Sequence, residues 1–360
     1  MRKVWQLLPT LSYGDAVGND CLAIASLLSE HGVKNEIGAE NIHPKVKKYA
    51  IPFEKAQEQI ESSDLIIYHL SVGTPISAYV RDLKNPKIVI YHNITPSEFF
   101  KPYSSIHVEA TKKGREELAF LADHVDVAIA DSAYNAMELA ELGYPEPKVI
   151  PILLPFDDYK QEPDKQTIEK LSDGKTNILF VGRIAPNKCQ EDIISVFAEY
   201  VDRFDPDARL ILAGSPVGME IYEKRLRAFA DQLGLGEKVL FTGHTSFAEI
   251  LAFYKTAKAF VIMSEHEGFC VPVVEAYLFD VPVMACDYGA IGETMGGAGV
   301  LVSEKDPARA AAILNEMVTD TAWREEQKHL MARALERFDT ETVKKMIWEQ
   351  VEPMLKEDQA

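Results

Sequence analysis

The chain has 360 residues, which is enough for two domains of ordinary size, each with its own core. Its 47% hydrophobic and 26% charged residues are typical of a soluble globular protein, and no apolar run approaches the ~20 residues that span a bilayer. A net charge of -18 argues against a general nucleic-acid binder, which needs a basic surface, although one domain can still carry a local basic patch.

The N-terminal half alternates short β-rich segments with helical patterns, which predicts a parallel sheet with helices on both faces. Residues 1–8 start like a signal peptide, but their apolar run is too short, so we interpret them as part of the first strand. Residues 154–164 are rich in Pro and Asp without apolar periodicity, and we interpret them as the interdomain linker. The predicted strands are Val4–Leu8, Leu65–His69, Ile88–His92, Val125–Ala130 and Val149–Leu153, and the predicted helices are Asp20–His31, Ala110–Ala122 and Ala133–Leu142.

The C-terminal half repeats this alternation, which predicts a second parallel sheet. Its predicted strands are Asn177–Val181, Arg209–Ala213, Val239–Thr242, Ala259–Met263, Val281–Ala285 and Gly299–Val302, with helices at Glu191–Arg203, Glu220–Leu233, Phe247–Thr256 and Val271–Leu278. Residues 307–356 have a helical pattern with a break near Asp339. A long terminal helix makes sense if it crosses back to cover the first domain. The predicted domains are therefore residues 1–155 with 340–360, and residues 156–339.

Cysteine usage and ligand spacing give no indication of a metal. Four cysteines (Cys21, Cys189, Cys270 and Cys286) lie far apart without a C-x-x-C pair, which favours reduced, buried thiols in a cytosolic protein. The paired Asp157 and Asp158 lie in the linker, and no His, Cys, Asp or Glu cluster has metal-ligand spacing. The sequence therefore predicts no metal site.

The most informative segment follows the predicted strand Ala259–Met263. There a short loop leads into a helix near Val271, and such a junction presents backbone N–H groups to an anion. Two carboxylates, Glu267 and Glu275, are separated by seven residues, and one carboxylate can accept both hydroxyls of a vicinal diol. The segment therefore favours a ligand with phosphate and hydroxyl groups. The plainer alternatives are an exposed loop for Glu267 and a salt bridge for Glu275.

A second loop carries two cations. Arg183 and Lys188 follow the strand Asn177–Val181, five residues apart. An Arg fork and a Lys ammonium together could neutralise a diphosphate without a metal. The alternative is a solvated loop with two surface cations.

Other glycine- and histidine-containing junctions are less specific. The loop from Gly14 to Gly18 permits a tight turn and close approach of a ligand, or is a simple strand–helix turn that Asn19 or Asp20 caps. Its spacing is not G-x-G-x-x-G. His92 ends a strand and either faces a ligand crevice or is a satisfied buried histidine.

Three further segments have a functional and a plain interpretation. The glycines of residues 289–293 permit another close approach, or mark a turn. Asp131 and Ser132 are expected to cap a helix. Residues 112–115, near Tyr103, form a basic patch that is a solvated face or a docking surface for an anionic or lipid-linked acceptor.

The C-terminal half resembles the family-4 retaining glycosyltransferases of the GT-B fold. The resemblance rests on Gly-Arg…Lys at 182–188, Phe-Thr-Gly at 241–243, Ser…Glu-Gly-Phe…Pro…Glu-Ala at 264–276 and Gly…Glu-Thr at 289–294. It covers the whole C-terminal domain, whereas the N-terminal half matches more loosely, through Gly14 and His92. Cys189 and Cys270 stand where Gly is frequent. The resemblance implies two Rossmann-like parallel-sheet domains that face each other across a cleft.

The resemblance also implies residue roles. Arg183 and Lys188 would hold the donor diphosphate and stabilise the leaving group, Glu275 would bind the ribose, and Glu267 would contact the donor sugar. His92 would lie near the transferred sugar from the opposite domain. The remaining donor-binding positions would be Gly14, Gly182, Gly243, His244, Gly268, Phe269, Cys270 and Val271, with the segment at 243–244 beside the base.

The implied activity is transfer of a hexose, with retention, from a UDP- or GDP-sugar to a saccharide or lipid-linked acceptor, without metal or other cofactor. We expect no nucleic-acid partner and a cytoplasmic location, at the inner face of the membrane if the N-terminal domain makes a peripheral contact. Three alternatives stay open. They are a nucleotide-sugar 2-epimerase, a non-catalytic nucleotide-sugar-binding protein and, through Glu36 or Glu40 as a ribose ligand, an NAD-dependent dehydrogenase.

Overall fold

The computed structural model describes residues 2–12 and 14–356, which form two compact units. The first unit takes the chain up to residue 98, residues 106–156 and the chain from residue 337 onward, and the second takes residues 99–105 and 157–336. The last four positions of the predicted terminal helix, 357–360, lie outside the described residues. Across the part of the chain that is described, no helix has the length and hydropathy that crossing a bilayer requires.

Within the described residues, the first unit contains a parallel sheet of seven strands in the order β3-β2-β1-β4-β5-β6-β7. The strands are β1 (Val4–Leu11), β2 (Asn35–Ile42), β3 (Ile51–Pro52), β4 (Leu65–Leu70), β5 (Lys87–Tyr91), β6 (Val127–Ala130) and β7 (Lys148–Val149). Strands β4 and β5 are buried along their whole length, as expected for strands that are covered on both faces. The carboxyl ends of the central strands therefore meet at one edge of the sheet.

The second unit, over its described residues, contains a parallel sheet of six strands in the order β10-β9-β8-β11-β12-β13. The strands are β8 (Asn177–Val181), β9 (Arg209–Ala213), β10 (Val239–Gly243), β11 (Ala259–Ile262), β12 (Val283–Cys286) and β13 (Val300–Val302). The prediction of two Rossmann-like parallel sheets is confirmed.

Helices connect the strands in both sheets. They are α1 (Ala16–Glu30), α2 (Phe53–Gln57), α3 (Pro75–Asp82), α4 (Ser105–Leu121), α5 (Ala133–Glu141), α6 (Lys165–Leu171), α7 (Gln190–Arg203), α8 (Glu220–Gln232), α9 (Phe247–Thr256), α10 (Val271–Leu278), α11 (Ile291–Met295), α12 (Pro307–Thr319), α13 (Thr321–Leu335) and α14 (Thr340–Met354). A break before Asp339 separates α13 from α14, as predicted, and Asp339 caps α14 by accepting the N–H of Thr342 at 3.0 Å.

The terminal helix α14 belongs to the first unit. Its buried residues Val343, Ile347 and Val351 recur every four positions and therefore lie on one face. This face packs in one core cluster with Val4 and Ile67 of the first sheet. The prediction that the last helix crosses back to the N-terminal sheet is confirmed, because an apolar stripe of this kind requires a covering surface.

Several local predictions are wrong. Helix α1 starts four residues earlier than expected, and Asp15, rather than Asn19 or Asp20, is its cap, accepting the N–H of Gly18 at 3.3 Å. Strand β2 was not predicted, because its sequence NEIGAENI contains many polar residues. In the structure it pairs with β1 along most of its length. Helix α3 was also missed. Of the last predicted strand in the first unit, Val149–Leu153, only Val149 pairs with a neighbouring strand, and the observed strand β7 starts one residue earlier, at Lys148.

The predicted linker is structured. Residues 156–160 form a 3₁₀ turn, and Asp164 caps α6 by accepting the N–H of Thr167 at 2.7 Å. Helix α6 was not predicted because it is too short for its apolar residues to show a helical periodicity in the sequence.

Candidate functional site

The carboxyl edge of the second sheet brings two predicted segments together. Strand β8 leads into residues 182–188, and β11 leads into residues 263–270, after which α10 begins at Val271. Because β8 and β11 pair directly and run parallel, their following loops lie side by side.

Lys188 and Glu267 form an ion pair across these two loops. The ammonium Nζ of Lys188 donates to both carboxylate oxygens of Glu267 at 2.7 Å. Only 7% of the Glu267 side chain is exposed, so water screens the pair weakly. The ammonium has one further proton and the carboxylate has further lone pairs, so a phosphate and a sugar hydroxyl can each bind to the preformed pair.

Backbone and side-chain bonds fasten the two loops around this pair. The N–H of Glu265 donates to the carbonyl of Asn187 at 2.9 Å, and the Asn187 amide donates to the carbonyl of His266 at 3.2 Å. Asn187 is buried, with 5% exposed. On the far side, Lys305 bridges Asp192 of α7 and Glu265 at 2.6 and 2.7 Å. The position of Glu267 is thus fixed by contacts that the sequence did not indicate.

Two cysteines adopt the backbone conformation that glycine favours. Cys189 has φ 48° and ends the turn that contains Lys188, and Cys270 has φ 75° and directly precedes α10. Both side chains are buried. Both residues take up the left-handed region although they carry a Cβ, at a cost of roughly 1–2 kcal/mol each. Since Pro272 has no N–H, the first turn of α10 offers fewer amide donors than an ordinary helix start.

Glu275 lies on α10 and is held by two tyrosine hydroxyls rather than by a salt bridge. Tyr159 donates to its Oε1 at 2.9 Å, and Tyr254 donates to its Oε2 at 2.7 Å. Burial raises the pKa of Glu275, and the two tyrosine hydrogen bonds oppose that rise because they favour the ionised carboxylate. A carboxylate with both oxygens oriented in this way is suited to accept further donors.

The glycines at this edge allow backbone segments to pack against each other. A Cβ on Gly214 would lie 1.8 Å from the carbonyl oxygen of Gly182, and a Cβ on Gly289 would lie 2.4 Å from the carbonyl oxygen of Glu267. The N–H of Ala290 donates to that same Glu267 carbonyl at 3.0 Å. The close approach that the glycines of residues 289–293 predicted is therefore an approach of protein backbone to Glu267.

The other predicted donor-binding residues lie along the same sheet edge. Arg183 is exposed, and its carbonyl accepts the side-chain amide of Gln190 at 3.0 Å. Gly243 ends the edge strand β10 with φ 67°, bridges to Gly214, and is followed by exposed His244. Gly268 and Phe269 lie in the loop between Glu267 and Cys270, and the carbonyl of Phe269 accepts the hydroxyl of Thr294 at 2.5 Å.

In the first unit, His92 belongs to a buried chain of hydrogen bonds. Its Nδ1 lies 2.9 Å from Oδ2 of Asp131, and its Nε2 lies 3.0 Å from Nδ1 of His69. Nε2 of His69 lies 2.9 Å from Oε1 of Gln6, and Asp20 Oδ2 lies 3.8 Å from His69. Only 1% of the His92 side chain is exposed. The sequence allowed either a histidine that faces a ligand crevice or a buried histidine with both ring nitrogens hydrogen-bonded. The ring of His92 fits the second interpretation.

The hydrogen-bond partners determine where the protons lie. The Gln6 amide nitrogen donates to the carbonyl of Cys21, so Gln6 Oε1 is an acceptor and Nε2 of His69 carries a proton. Burial lowers the pKa of His69 well below its usual value, so His69 is neutral and its Nδ1 accepts from Nε2–H of His92. Burial opposes charge on His92, but the carboxylates of Asp131, Asp20 and Asp15 together raise the pKa of His92. Burial also raises the pKa of Asp131, which its hydrogen bond to His92 opposes, so each partner favours the charged form of the other.

The geometry of the two rings favours a hydrogen bond over shared ligation. Potential ligand atoms of Asp20, His69 and His92 all lie within 4.8 Å of one another. The two ring planes differ by 6°, with centroids 5.3 Å apart and nitrogens 3.0 Å apart. The rings thus lie edge to edge with the two nitrogens pointing at each other, whereas ligands of one ion point at a common centre. A second group, Cys189, Asp192 and Glu265, surrounds the ammonium of Lys305 instead.

The remaining predicted features of the first unit have structural partners. Gly14 has φ 77° in the exposed loop before Asp15, and a Cβ on Gly18 would lie 2.6 Å from the carbonyl oxygen of Ser12. Glu36 pairs with Lys3 at 2.8 Å, and Glu40 accepts the hydroxyl of Thr74, so both candidate ribose ligands are engaged within the fold.

The predicted caps and the basic patch have partners as well. Ser132 caps α5, whereas Asp131 bonds to His92, which corrects the prediction that both are capping residues. In the basic patch, Arg115 pairs with Glu138 at 2.6 Å, and Lys113 lies 3.4 Å from Glu117.

Residues 161–337 match the family described as glycosyl transferases group 1. Residues 161–337 of this chain therefore belong to that family. The family resemblance stated from the sequence is confirmed, and the matched segment contains Arg183, Lys188, Glu267 and Glu275.

Curated relatives match over part of the chain. A D-inositol 3-phosphate glycosyltransferase of Thermobispora bispora is 28% identical over 240 residues, 63% of this chain and 54% of its own length. An enzyme of the same name from Frankia alni is 32% identical over 154 residues, 41% of this chain and 38% of its own length. The chain thus spans about half or less of the length of these relatives.

Solved structures match over nearly the whole chain. Anabaena Alr3699/HepE in complex with UDP and glucose has a TM-score of 0.79 at 20% identity, over 98% of this chain and 100% of that one. Sucrose-phosphate synthase of Thermosynechococcus elongatus has a TM-score of 0.76 at 17% identity, over 98% and 99%. These likenesses show a shared fold, the GT-B fold with its two Rossmann-like sheets, as the sequence predicted.

Sequence reasoning missed several residues that complete the site. Tyr159 lies in the segment that the sequence predicted as a linker. Asn187 and Tyr254 have no pattern around them that distinguishes them from ordinary loop and helix residues. Asp131 was assigned to a cap because an Asp before a predicted helix is usually one. None of these partnerships has a short-range signal, since each joins residues that are distant in sequence.

Proposed function

We propose that this chain is a glycosyltransferase that moves a hexose from a UDP- or GDP-sugar to a saccharide or lipid-linked acceptor, with retention and without a metal. The observation that carries the proposal is the grouping of the Lys188–Glu267 pair, the start of α10 and Glu275 at one edge of the second sheet. Membership of residues 161–337 in a glycosyl transferase family supports it.

Each part of this edge suits one part of the donor. Lys188 and Arg183 supply positive charge where the diphosphate becomes a leaving group, which is where electrostatic stabilisation is worth most. Glu267, held by Lys188, accepts hydroxyls of the hexose. Glu275 accepts the ribose diol. In this proposal the residues of the first unit, with the Gly14 loop and His92, serve the acceptor and the transferred sugar.

The bond changes balance without a protein nucleophile. The bond from the anomeric carbon to the phosphate oxygen breaks, and the electron pair leaves with the nucleoside diphosphate. The acceptor hydroxyl forms the new bond on the same face, and its proton passes to a phosphate oxygen. Because Arg183 and Lys188 are fixed cations, this departure is stabilised without a divalent ion.

The role of His92 follows from its fixed protons. Both ring nitrogens are used in bonds to Asp131 and His69, so the ring is a poor general base. We propose that His92 acts through its charge and its place at the end of β5 rather than through proton exchange.

The named relatives guide the choice of substrates. The Anabaena protein was solved with UDP and glucose, and with UDP-glucose, so UDP-glucose is the first donor to test, with GDP-mannose as the alternative. The curated relatives act, by name, on D-inositol 3-phosphate, so this acceptor joins simple saccharides and a lipid-linked sugar in the panel.

The test measures nucleotide binding, transfer and stereochemistry with the purified chain. Calorimetric titration with UDP, GDP and ADP identifies the base, and release of the diphosphate with each acceptor identifies the reaction. We expect a product with the donor's anomeric configuration and an unchanged rate in EDTA. Binding without transfer to any acceptor would support a nucleotide-sugar-binding protein, conversion of the free nucleotide-sugar would support an epimerase, and loss in EDTA that Mn²⁺ or Mg²⁺ restores would contradict metal independence.

A further inference from the structure

Glu275 has two hydrogen-bond donors of its own, in addition to the ribose contact that we propose for it. Its two oxygens each accept one phenol O–H, from Tyr159 at 2.9 Å and from Tyr254 at 2.7 Å. Each carboxylate oxygen has two lone pairs, so each oxygen keeps the capacity for one more hydrogen bond. The two remaining positions match the two O–H donors of a vicinal diol.

We propose that Tyr159 and Tyr254 are positioning residues that hold Glu275 as an oriented, ionised carboxylate for the ribose diol. The proposal rests on the proposed function and adds two residues to it. Charged hydrogen bonds are stronger than neutral ones, so two phenol donors fix the carboxylate plane before any ligand arrives.

Both tyrosines are themselves held in place by packing. Tyr254 is fully buried on α9, with its ring against Phe260 and Phe279 at centroid distances of 6.1 and 5.6 Å. Tyr159 packs edge-on against Phe247, also of α9, at 5.3 Å. Helix α9 therefore supports both donors, and their hydroxyls cannot move far from Glu275 without disturbing it.

The contact of Tyr159 has a further consequence. Tyr159 lies three residues after Phe156, where the chain passes from the first unit into the second. A nearby backbone bond, from the N–H of Asp164 to the carbonyl of Ala248 at 2.9 Å, ties the same segment to α9. The segment that follows Phe156 is thus held both to Glu275, through Tyr159, and to α9.

The ionisation of Glu275 distinguishes a positioning role of the two tyrosines from a merely structural one. Burial raises the pKa of Glu275, and the tyrosine hydrogen bonds oppose this. The other titratable groups around it are Tyr159, Tyr254 and the Cys270 thiol, and burial raises the pKa of all three, with the Glu275 charge adding to each rise. Asp158 acts on Tyr159, and Glu267 and Lys188 act on the Cys270 thiol. Of these groups, Glu275 is the one whose ionised form the two tyrosine hydroxyls favour.

The experiment compares Tyr159→Phe and Tyr254→Phe with wild type by calorimetric titration of UDP and 2′-deoxy-UDP, from about pH 6 to about pH 8.5. We expect wild type to show only the pH dependence that the second ionisation of the terminal phosphate of UDP, at about pH 6, gives to every protein in the comparison. Each variant should bind UDP about tenfold or more weakly at the acid end, and recover affinity as rising pH ionises Glu275. Removing the 2′-hydroxyl should cost the variants less than wild type, because their Glu275 accepts from it less well.

The control is Tyr144→Phe, which removes a buried hydroxyl that donates to the Leu118 carbonyl in the first unit, and it should bind UDP like wild type. Two results would overturn the proposal. Tighter UDP binding by Tyr159→Phe would mean that Tyr159 competes with the ribose. A loss that is the same at every pH and for both nucleotides would mean a purely structural role. If wild type binds none of UDP, GDP and ADP, the proposed function itself fails, which is a different outcome from either.

Discussion

His92 and Asp131 form a buried pair in which Nδ1 lies 2.9 Å from Oδ2, with 1% and 3% of the side chains exposed. They end neighbouring strands β5 and β6, which places them together at the carboxyl edge of the first sheet. The pair continues through His69 to Gln6, so it joins residues from four adjacent strands or their ends. His92 is thereby part of a hydrogen-bonded chain inside the first unit.

We predict that removing one partner of this pair lowers the free energy of unfolding. Asp131→Ala leaves the buried Nδ1 of His92 without its partner, and an unsatisfied buried polar group costs about 1–3 kcal/mol of unfolding free energy, or more if it stays charged. Asp131→Asn keeps an acceptor for Nδ1–H and should cost less. Urea unfolding measures both, with Asp123→Ala, an exposed position in the same unit, as the control. A loss for Asp131→Ala no larger than that of the control would show that the pair contributes nothing.

From the raised pKa of Asp20 we predict how the free energy of unfolding depends on pH. Burial raises the pKa of Asp20 from 3.8 to about 7, so the folded state binds this proton more tightly than the unfolded chain. The stabilisation is fully present below about pH 4 and is lost as the pH rises towards about 7, at roughly 1.4 kcal/mol per pH unit at most. The raised pKa of neighbouring His92 acts in the same direction.

Asp20→Asn removes this titration, and its Oδ1 can still accept the N–H of Leu153, which Asp20 accepts at 2.7 Å. The stability of the variant relative to wild type should therefore rise between about pH 4 and about pH 7. Unfolding free energies at several pH values, with Asp123→Asn as the control, check this. A difference between variant and wild type that stays constant with pH would contradict it.

The predicted donor site gives separate effects on rate and binding. Arg183→Ala or Lys188→Ala removes a cation from the leaving group and should lower the transfer rate by about a hundredfold or more. Glu275→Ala should mainly weaken nucleotide binding, by about tenfold or more, because it removes a charged acceptor for the ribose.

Turnover and calorimetry with UDP separate the two effects. Arg203→Ala is a matched control, since Arg203 is half exposed on α7 and pairs only with Glu199 among the described ion pairs. Full activity of Arg183→Ala would contradict its assignment to the donor site.

From the left-handed backbone conformation of Cys270 we predict that Gly is more stabilising than Ala at this position. Both Cys270→Gly and Cys270→Ala remove the thiol, but only Ala keeps a Cβ at φ 75°. Gly should therefore be more stable than Ala by about 1 kcal/mol, the reverse of the order inside ordinary helices and strands. The same two changes at Cys286, which lies in β12, serve as the control and should favour Ala. Thermal or urea unfolding measures all four, and the same order at both positions would refute the strain argument.

Much of the fold follows from local pattern. The strands Asn177–Val181 and Arg209–Ala213 and the helices Phe247–Thr256 and Val271–Leu278 have the predicted bounds. Short apolar runs and amphipathic periodicity are local properties that the sequence displays directly. Strand β2 was missed because its residues are stabilised by pairing with β1 and not by their own preference.

Local sequence patterns were enough to predict the family of residues 161–337, the two parallel sheets and the segments that carry Lys188, Glu267 and Glu275. The contacts of these side chains could be learned from the folded chain alone. It joined Lys188 to Glu267, placed two tyrosines on Glu275 and enclosed His92 between Asp131 and His69. The reason is physical: hydrogen bonds and burial depend on distances between residues that are far apart in the chain, and these distances exist only once both sheets have formed.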